Sequence, residues 1–557
     1  MHRTRTRRGL TTAAVIVASS ALVLSGCASK RDDDSGNSSK GGDVNTTFTF
    51  AASSDPKSLD PAFASDGESF RVSRQIFEGL VGTEPGTADP APLLAKEWKV
   101  SDDAKTFDFT LQEGVKFHDG SDFNAEAVCA NFDRWYNFKG IEQTEGVGYY
   151  YKSLFKGYAD KDTDQALYKS CEAKSDTEAS VTLTQPWVGF ISALSLPAFA
   201  MQSPEAMEKY GASEVSGSAD APKLSEYALS HPTGTGPFTF KEWKNGDHIT
   251  LEANKDYWGE QGQVEKVVFR VIADATARKQ ALEANEIDGY DLVSPGDLKS
   301  IEDAGYKLIN RDPFNVLYLG INSAEKELSD VKVRQAIAYA IDKEQLNKQV
   351  MPDGTKSAIE FIPDSVRGYT EDVETYDYDV DKAKDLLKEA GYPDGFSTTF
   401  YYPTDVSRPY MPTPADTYTN IAQQLEKVGI KVTPKPMKWT EYTSYVQGSE
   451  KHGLHLLGWT GDYNDTDNFV GVFFNGKKPE FGFENEQLFK DLDEARTMSD
   501  EDAQTKKYED INKEISKFVP AVPLAHPVPT LAFNSRVSSY PASPVQDEVY
   551  SEVELSK

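Results

Sequence analysis

Segments with the two-residue period of a strand alternate with segments of helical period along nearly the whole 557-residue chain. That alternation points to a mixed α/β fold, and the length suits two or three domains around a large core. Residues 47–53 (TFTFAAS), 249–254 (ITLEAN) and 266–272 (KVVFRVI) read as strands, and 105–121 reads as two strands joined by turns, with Asp119-Gly120 as a turn pair. Residues 330–346 place Val333, Ile337, Ala340 and Ile341 at helical spacing. Residues 379–392 predict a helix with Asp381 able to cap its start, Leu386 and Leu387 facing inward, and Gly391 suited to the left-handed position past its end. Residues 418–430 repeat that plan with Gly429. Composition does not shift between the halves, so two lobes are as far as pattern alone reaches.

The first residues bear on location. Arg3, Arg5, Arg7 and Arg8 precede an apolar stretch from Leu10 to Leu24, too short for a convincing membrane span. It closes on Leu24-Ser25-Gly26-Cys27, which resembles the lipobox of bacterial lipoproteins, whose cysteine is lipidated and becomes the first mature residue. Arg7-Arg8 leaves the twin-arginine export route open beside the general one. Residues 28–44, rich in Ser, Gly, Asp and Lys, read as a flexible tether. No later segment has eighteen consecutive apolar residues, so no transmembrane helix is expected. Outside the cytosol the remaining pair, Cys129 and Cys171, is expected to form a disulfide, with two separate buried thiols as the alternative. A formal charge of −30 argues against a nucleic-acid partner, because phosphate binding needs clustered Lys and Arg.

One stretch raises a chemical question. LHLLGWTGDYNDTDNF, residues 454–469, runs from an apolar strand straight into a loop carrying Asp462, Asp465 and Asp467. Buried carboxylates need a positive partner. Counted from Asp462, the EF-hand pattern fails, because the sixth residue is Asp467 and the twelfth Phe473. His452 and His455 would point to opposite faces of a strand, which suits shared ligation poorly, so no metal is expected there. There is no G-x-S-x-G elbow and no catalytic Cys setting, and GTGPF at 234–238 lacks the ending of a phosphate loop, so neither an enzyme nor a cofactor is expected. His118 belongs most simply to a hairpin end. The stiff segment DVSRPYMPTP, 405–414, offers Arg408 on a proline-braced loop able to grip a carboxylate in bidentate fashion, though spacing alone reads more simply as a surface arginine on a turn.

Taken in order, DPKSLDPA (55–62), QIFEGLV (75–81), residues 93–120, GTGPFTF (234–240), LSDVKVRQAIAYAIDKEQL, DVDKAKDLLKEAGYPDGF, RPYMP and GWTGDYNDTDNF resemble the family 5 extracellular solute-binding proteins of ABC transporters, and most nearly the dipeptide-binding members. The resemblance runs from about residue 46 to the end. It implies a hinged, two-lobed α/β fold of the periplasmic-binding-protein type II class, with the extra subdomain of the large peptide binders. The implied division is a signal peptide at 1–26, a tether at 27–44, one lobe at 45–310 with its extra subdomain at about 90–230 and completed by 528–557, and a second lobe at 311–527. The Arg of the R-P-Y segment, here Arg408, would hold a peptide α-carboxylate. The first Asp after G-W-x-G, here Asp462, would hold its α-ammonium. Trp459 would line the side-chain pocket, and Ser65, in the loop after Leu-Asp-Pro-Ala, is a further candidate contact. The implied role is a monomeric binding protein, lipid-anchored at Cys27 on the extracellular face of the membrane, handing short peptides to permease subunits. Nickel chelate, haem, oligosaccharide or a signalling peptide are the alternative ligands. The Asp-Tyr step after Gly461 also resembles binders of longer peptides, and Cys129 and Cys171 do not coincide with disulfides typical of the dipeptide group, so peptide length stays open.

Overall fold

A computed structural model describes residues 45–219 and 221–556; the expected signal peptide, Cys27 and the whole of the tether lie outside them. Strand Thr47–Ala52 pairs in parallel with Lys266–Val271 and forms the middle of a seven-stranded sheet. The order in that sheet is Phe238–Lys244, His248–Ala253, Lys266–Val271, Thr47–Ala52, Gly289–Tyr290, Thr530–Phe533 and Lys307–Asn310. A strand from near the C-terminus therefore completes a sheet otherwise built from residues 47–310.

The second sheet has six strands, ordered Lys356–Ser357, Ala521–His526, Asn315–Ile321, Leu454–Thr460, Phe396–Pro403 and Ile430–Met437. Asn315–Ile321 is buried at every position, which matches the apolar run from Val316 to Ile321. Helices Val331–Tyr339, Val380–Glu389 and Pro414–Glu426 contribute Ile337, Leu387 and Ile421 to one of its cores. A four-stranded antiparallel sheet, Ala95–Val100, Thr106–Leu111, Glu178–Leu183 and Tyr168–Ser175, forms a further layer. The bonded pair Cys129–Cys171 ties helix Ala125–Tyr136 to the strand at the sheet's edge.

The two large sheets are joined by two short crossovers lying side by side. Residues 311–314 leave the first sheet and 527–529 return to it. Arg311 N–H donates to Pro529 O (2.9 Å), the Asn315 amide donates to Pro527 O (3.1 Å), and His526 Nδ1 lies 2.7 Å from Asn315 O. Arg311 is buried and pairs with Glu548 and Asp291, which also meets Arg71. This ion network anchors the crossovers to the first sheet. No helix among the described residues is long and apolar enough to cross a membrane.

Several local expectations needed correction. The helical pattern over 330–346 becomes two helices, Val331–Tyr339 and Lys343–Val350, because Asp342 leaves helical geometry and accepts from Gln345 N–H to start the second. Asp379, not Asp381, caps the 380–389 helix by accepting from Lys382 N–H, and Leu387 is buried while Leu386 is only partly covered. Past Thr106–Leu111 the expected second strand reduces to a single Lys116–Asp122 bridge around the Asp119-Gly120 turn.

Candidate functional site

Strands Phe396–Pro403 and Leu454–Thr460 are parallel neighbours, with Phe400 opposite Leu454 and Tyr401 opposite His455. Parallel neighbours end at the same edge of a sheet. Eight residues beyond each member of the Phe400–Leu454 pair, the chain reaches Arg408 in one case and Asp462 in the other. A cation and an anion thus leave one sheet edge in adjacent loops, beyond strand carboxyl ends, where α/β folds place their ligands.

The Arg408 loop is held down from both sides. Tyr410 packs on the neighbouring strand at Gly458, where a Cβ would lie 2.3 Å from the tyrosine ring. Only glycine allows that approach. Arg408 N–H donates to Met411 O (3.1 Å) and Met411 N–H to Arg408 O (2.9 Å), a tight bridge around Pro409. The guanidinium carbon sits 4.3 Å from the ring centroid of Trp439, the first residue of helix Trp439–Gly448. Trp439 N–H in turn donates to Asp405 Oδ1 at 2.7 Å, which fixes the ring relative to the same loop. A cation stacked on an aromatic face keeps its in-plane N–H groups free. Among the described residues no carboxylate pairs with Arg408, and its buried Nε has no hydrogen-bond partner.

Asp462 is half-buried and accepts from Tyr150 Oη (2.8 Å) and Asn468 Nδ2 (3.3 Å), while its own N–H donates to Asn468 Oδ1 (2.8 Å). Burial pushes its pKa up to about 6, against the opposing pull of those two hydrogen bonds and of Arg74. Asp465 caps the turn Thr466–Asn468, and burial together with Asp467 raises it to about 6 as well. Asp467 faces Arg496 Nη1 at 3.6 Å. The three carboxylates therefore divide. Asp465 and Asp467 hold the loop's shape, and Asp462 touches only neutral donors. Tyr463, between them, is buried among residues of the apolar cluster that includes Phe155 and Phe190.

Trp459 is half-buried, its ring 6.1 Å from Phe473 and its Nε1 donating to Asn468 Oδ1 at 3.4 Å, so it braces the residue that holds Asp462. Ser65 is half-buried between turn Pro61–Phe63 and helix Gly67–Ile76, and its hydroxyl makes no hydrogen bond among the described residues. His452 precedes the strand and so escapes its alternation; its ring lies 5.0 Å from that of His455, not on an opposite face. Sequence reading missed Tyr150, Asn468 and Trp439. Asn468 stood in the same acidic stretch, and Tyr150 in a run of three tyrosines. Trp439 gave no signal, because only the strand pairing brings it beside Arg408.

A family model for "Bacterial extracellular solute-binding proteins, family 5 Middle" matches residues 89–481. The chain is similar to heme-binding protein A of Haemophilus influenzae, 30% identical over 514 residues and 90% of each chain. It is also similar to the dipeptide-binding protein of Escherichia coli, 31% identical over 526 residues, 91% of this chain and 94% of that one. Among solved structures it matches the ABC transporter-associated periplasmic binding protein of Helicobacter pylori in complex with the peptide STSA, with a TM-score of 0.75 and 27% identity over 92% of this chain and 98% of that one. The two-lobed α/β architecture is that of these binding proteins, and the chain belongs to the family 5 bacterial extracellular solute-binding proteins.

Proposed function

We propose that this chain is the lipid-anchored substrate-binding protein of an ABC importer, taking up di- or oligopeptides by their charged ends and delivering them to a membrane permease. One observation carries the reading: Arg408 lies on Trp439 with its N–H groups unclaimed, at the same sheet edge as an Asp462 that has only neutral partners. A peptide near neutral pH is a zwitterion. Each of its ends, buried unpaired, would cost several kcal/mol. Arg408 would receive the α-carboxylate and Asp462 the α-ammonium. Two residues span about 7 Å, so the separation of the anchors would select for length while leaving side chains to a hydrated pocket. Trp459, and Ser65 from the facing side, would border that pocket.

The rest of the proposal concerns place and movement. Residues 45–310 with 528–557 would form one lobe, 311–527 the other, and ligand would favour their closure. Cys27 would carry the lipid on the outer face of the membrane, and the bound protein would act as a monomer without cofactor or catalysis. Relatives named for dipeptide and for haem lie at similar identity, so ligand class is the point to test. Calorimetry with free, N-acetylated and C-amidated dipeptides, beside haem and nickel–histidine, addresses it. Blocking either end, or Arg408→Ala, should weaken binding by roughly 2–5 kcal/mol, the cost of stranding one buried charge. Equal affinity for blocked and free peptides, or binding of haem alone, would overturn the reading.

A further inference from the structure

A cavity that Arg408 and Asp462 do not line lies in the part of the molecule built on the six-stranded sheet. It measures about 400 Å³ and sits between the start of helix Lys343–Val350, the end of helix Glu501–Phe518 and strand Ala521–His526. That volume suits a small organic molecule. Its wall is apolar where Ile341, Phe361, Ile515, Val519 and Val522 meet. Glu360 also lines it and is 3% exposed. One of its oxygens, Oε1, accepts from Thr370 N–H at 2.9 Å. The other, Oε2, is buried with no partner among the described residues. A buried carboxyl oxygen left unpaired is costly, and native structures seldom tolerate it without a purpose.

The other charges around the cavity decide the sign of a ligand. Asp342, Glu344, Glu374 and Asp377 line it beside Glu360, against Lys343 alone. Lys343 is already engaged, donating to Ala358 O at 2.7 Å. Tyr376 and Tyr378 stand next to the acidic residues and add aromatic faces that also favour cations. We infer that this cavity is a second ligand site, taking a small organic ammonium ion whose charged end pairs with Glu360 Oε2 and whose apolar body lies against Ile341, Phe361 and Val519. Burial holds the empty-site Glu360 carboxyl up at about 8, so at pH 7 it is mostly a neutral acid. The ammonium would draw it into its ionised form and release its proton to solvent.

The test uses the full chain with hexylamine, hexanoate and 1-hexanol as probes. Hexylamine should bind and the other two should not. Its affinity should rise at least about tenfold between pH 7 and pH 9, as Glu360 ionises and Lys343, which burial lowers to about 8, gives up its charge, while the amine stays charged. Calorimetry in buffers of different ionisation heat should show close to one proton released per amine at pH 7. Glu360→Gln should reduce affinity at least about tenfold at pH 9 and leave only the part of the pH dependence that Lys343 causes. The groups facing Glu360, namely Lys343, Asp342, Glu344, Glu374, Asp377 and the nearby Glu509, are untouched in that variant, so any dependence they cause would persist. Asp462→Asn should leave hexylamine binding unchanged, which separates this cavity from the proposed peptide site. The inference is overturned if hexylamine does not bind at millimolar concentration, if hexanol binds equally well, if Glu360→Gln binds like the wild type, or if Asp462→Asn is the variant that loses the amine. Should Glu360→Gln fail to fold, the proton count on the wild type decides alone: no release overturns it.

Discussion

Asp462 carries its charge reluctantly, and that makes it readable. Its pKa of about 6 follows from burial beside neutral donors, so near pH 7 it is ionised and below pH 6 it is not. A ligand ammonium pairs only with the ionised form. Peptide affinity should therefore be greatest near pH 7, fall as pH drops through 6, by about tenfold at pH 5, and fall again above about pH 8 as the peptide's own α-ammonium, with an ordinary pKa of about 7.7–8.0, loses its proton. The peptide carboxylate titrates well below that window. Asp465 titrates in the same range, so the control is Asp462→Asn, which should lose affinity at pH 7 and lose the slope with it. A slope that survives in Asp462→Asn would assign the effect to Asp465 and to the shape of the loop. At this scale the sequence was half legible. Arg408 and Asp462 stand in motifs, R-P-Y and G-W-x-G-D, and could be picked out by number. What keeps Arg408 free of a protein carboxylate is Trp439, which follows a different strand. No linear pattern encodes that neighbour.

Between residue and whole molecule, the disulfide is the element-level tie whose strength can be stated in advance. Cys129 and Cys171 are 42 residues apart and join a helix to an edge strand. Closing a loop of that length stabilises the folded chain by about 4 kcal/mol in the chain-entropy account. The double variant Cys129→Ala, Cys171→Ala should lose about that much in urea unfolding followed by circular dichroism, with peptide affinity at saturating stability unchanged, since neither cysteine adjoins Arg408 or Asp462. A loss under about 1 kcal/mol would mean that helix and strand hold each other by packing alone. Strands were the elements read most surely, because β-branched alternation and turn residues agree along 47–52, 248–253 and 266–271. The helical period over 330–346 spans two helices because its apolar spacing continues through Ala340 and Ile341, both buried, while Asp342 breaks the backbone between them. Periodicity reports which side chains face the core. It does not report where a cap interrupts the ladder. The return of Thr530–Phe533 into the first sheet was likewise beyond pattern, since nothing in four buried residues names a partner 220 positions away.

At the scale of the molecule, two crossovers four and three residues long are all that join the large sheets, and they are bonded to each other. Rotation about such a pair needs φ/ψ changes at a few residues only, while Arg311, locked to Glu548 and Asp291, keeps the pivot attached to the first sheet. On the far side of the cleft, the contacts that hold the lobes together are few and mostly polar. Tyr150 donates to Asp462, Asn464 Nδ2 donates to Asp89 Oδ1 at 2.7 Å, and Arg496 Nη2 donates to Leu154 O at 3.4 Å. Water can replace each of these on opening at small net cost. Tyr463 is the largest apolar exception, since opening would draw a buried aromatic side chain out of the cluster around Phe155; the smaller Ala88 and Val545 of the first lobe also join the apolar cluster of Phe314 and Phe469. Closure thus rests on a few apolar contacts and on whatever the ligand adds. Tyr463→Ser should shift the ligand-free population toward open and raise the apparent Kd by the same factor, because affinity scales with the closed fraction. Small-angle scattering reads the two populations directly. Wild-type radius should shrink on saturation with peptide. Tyr463→Ser should start larger, shrink further and reach the same end point at higher ligand concentration. If the variant binds as tightly as the wild type and the radius never changes, closure contributes nothing to affinity, and the anchors alone, fixed on one sheet edge, do the binding.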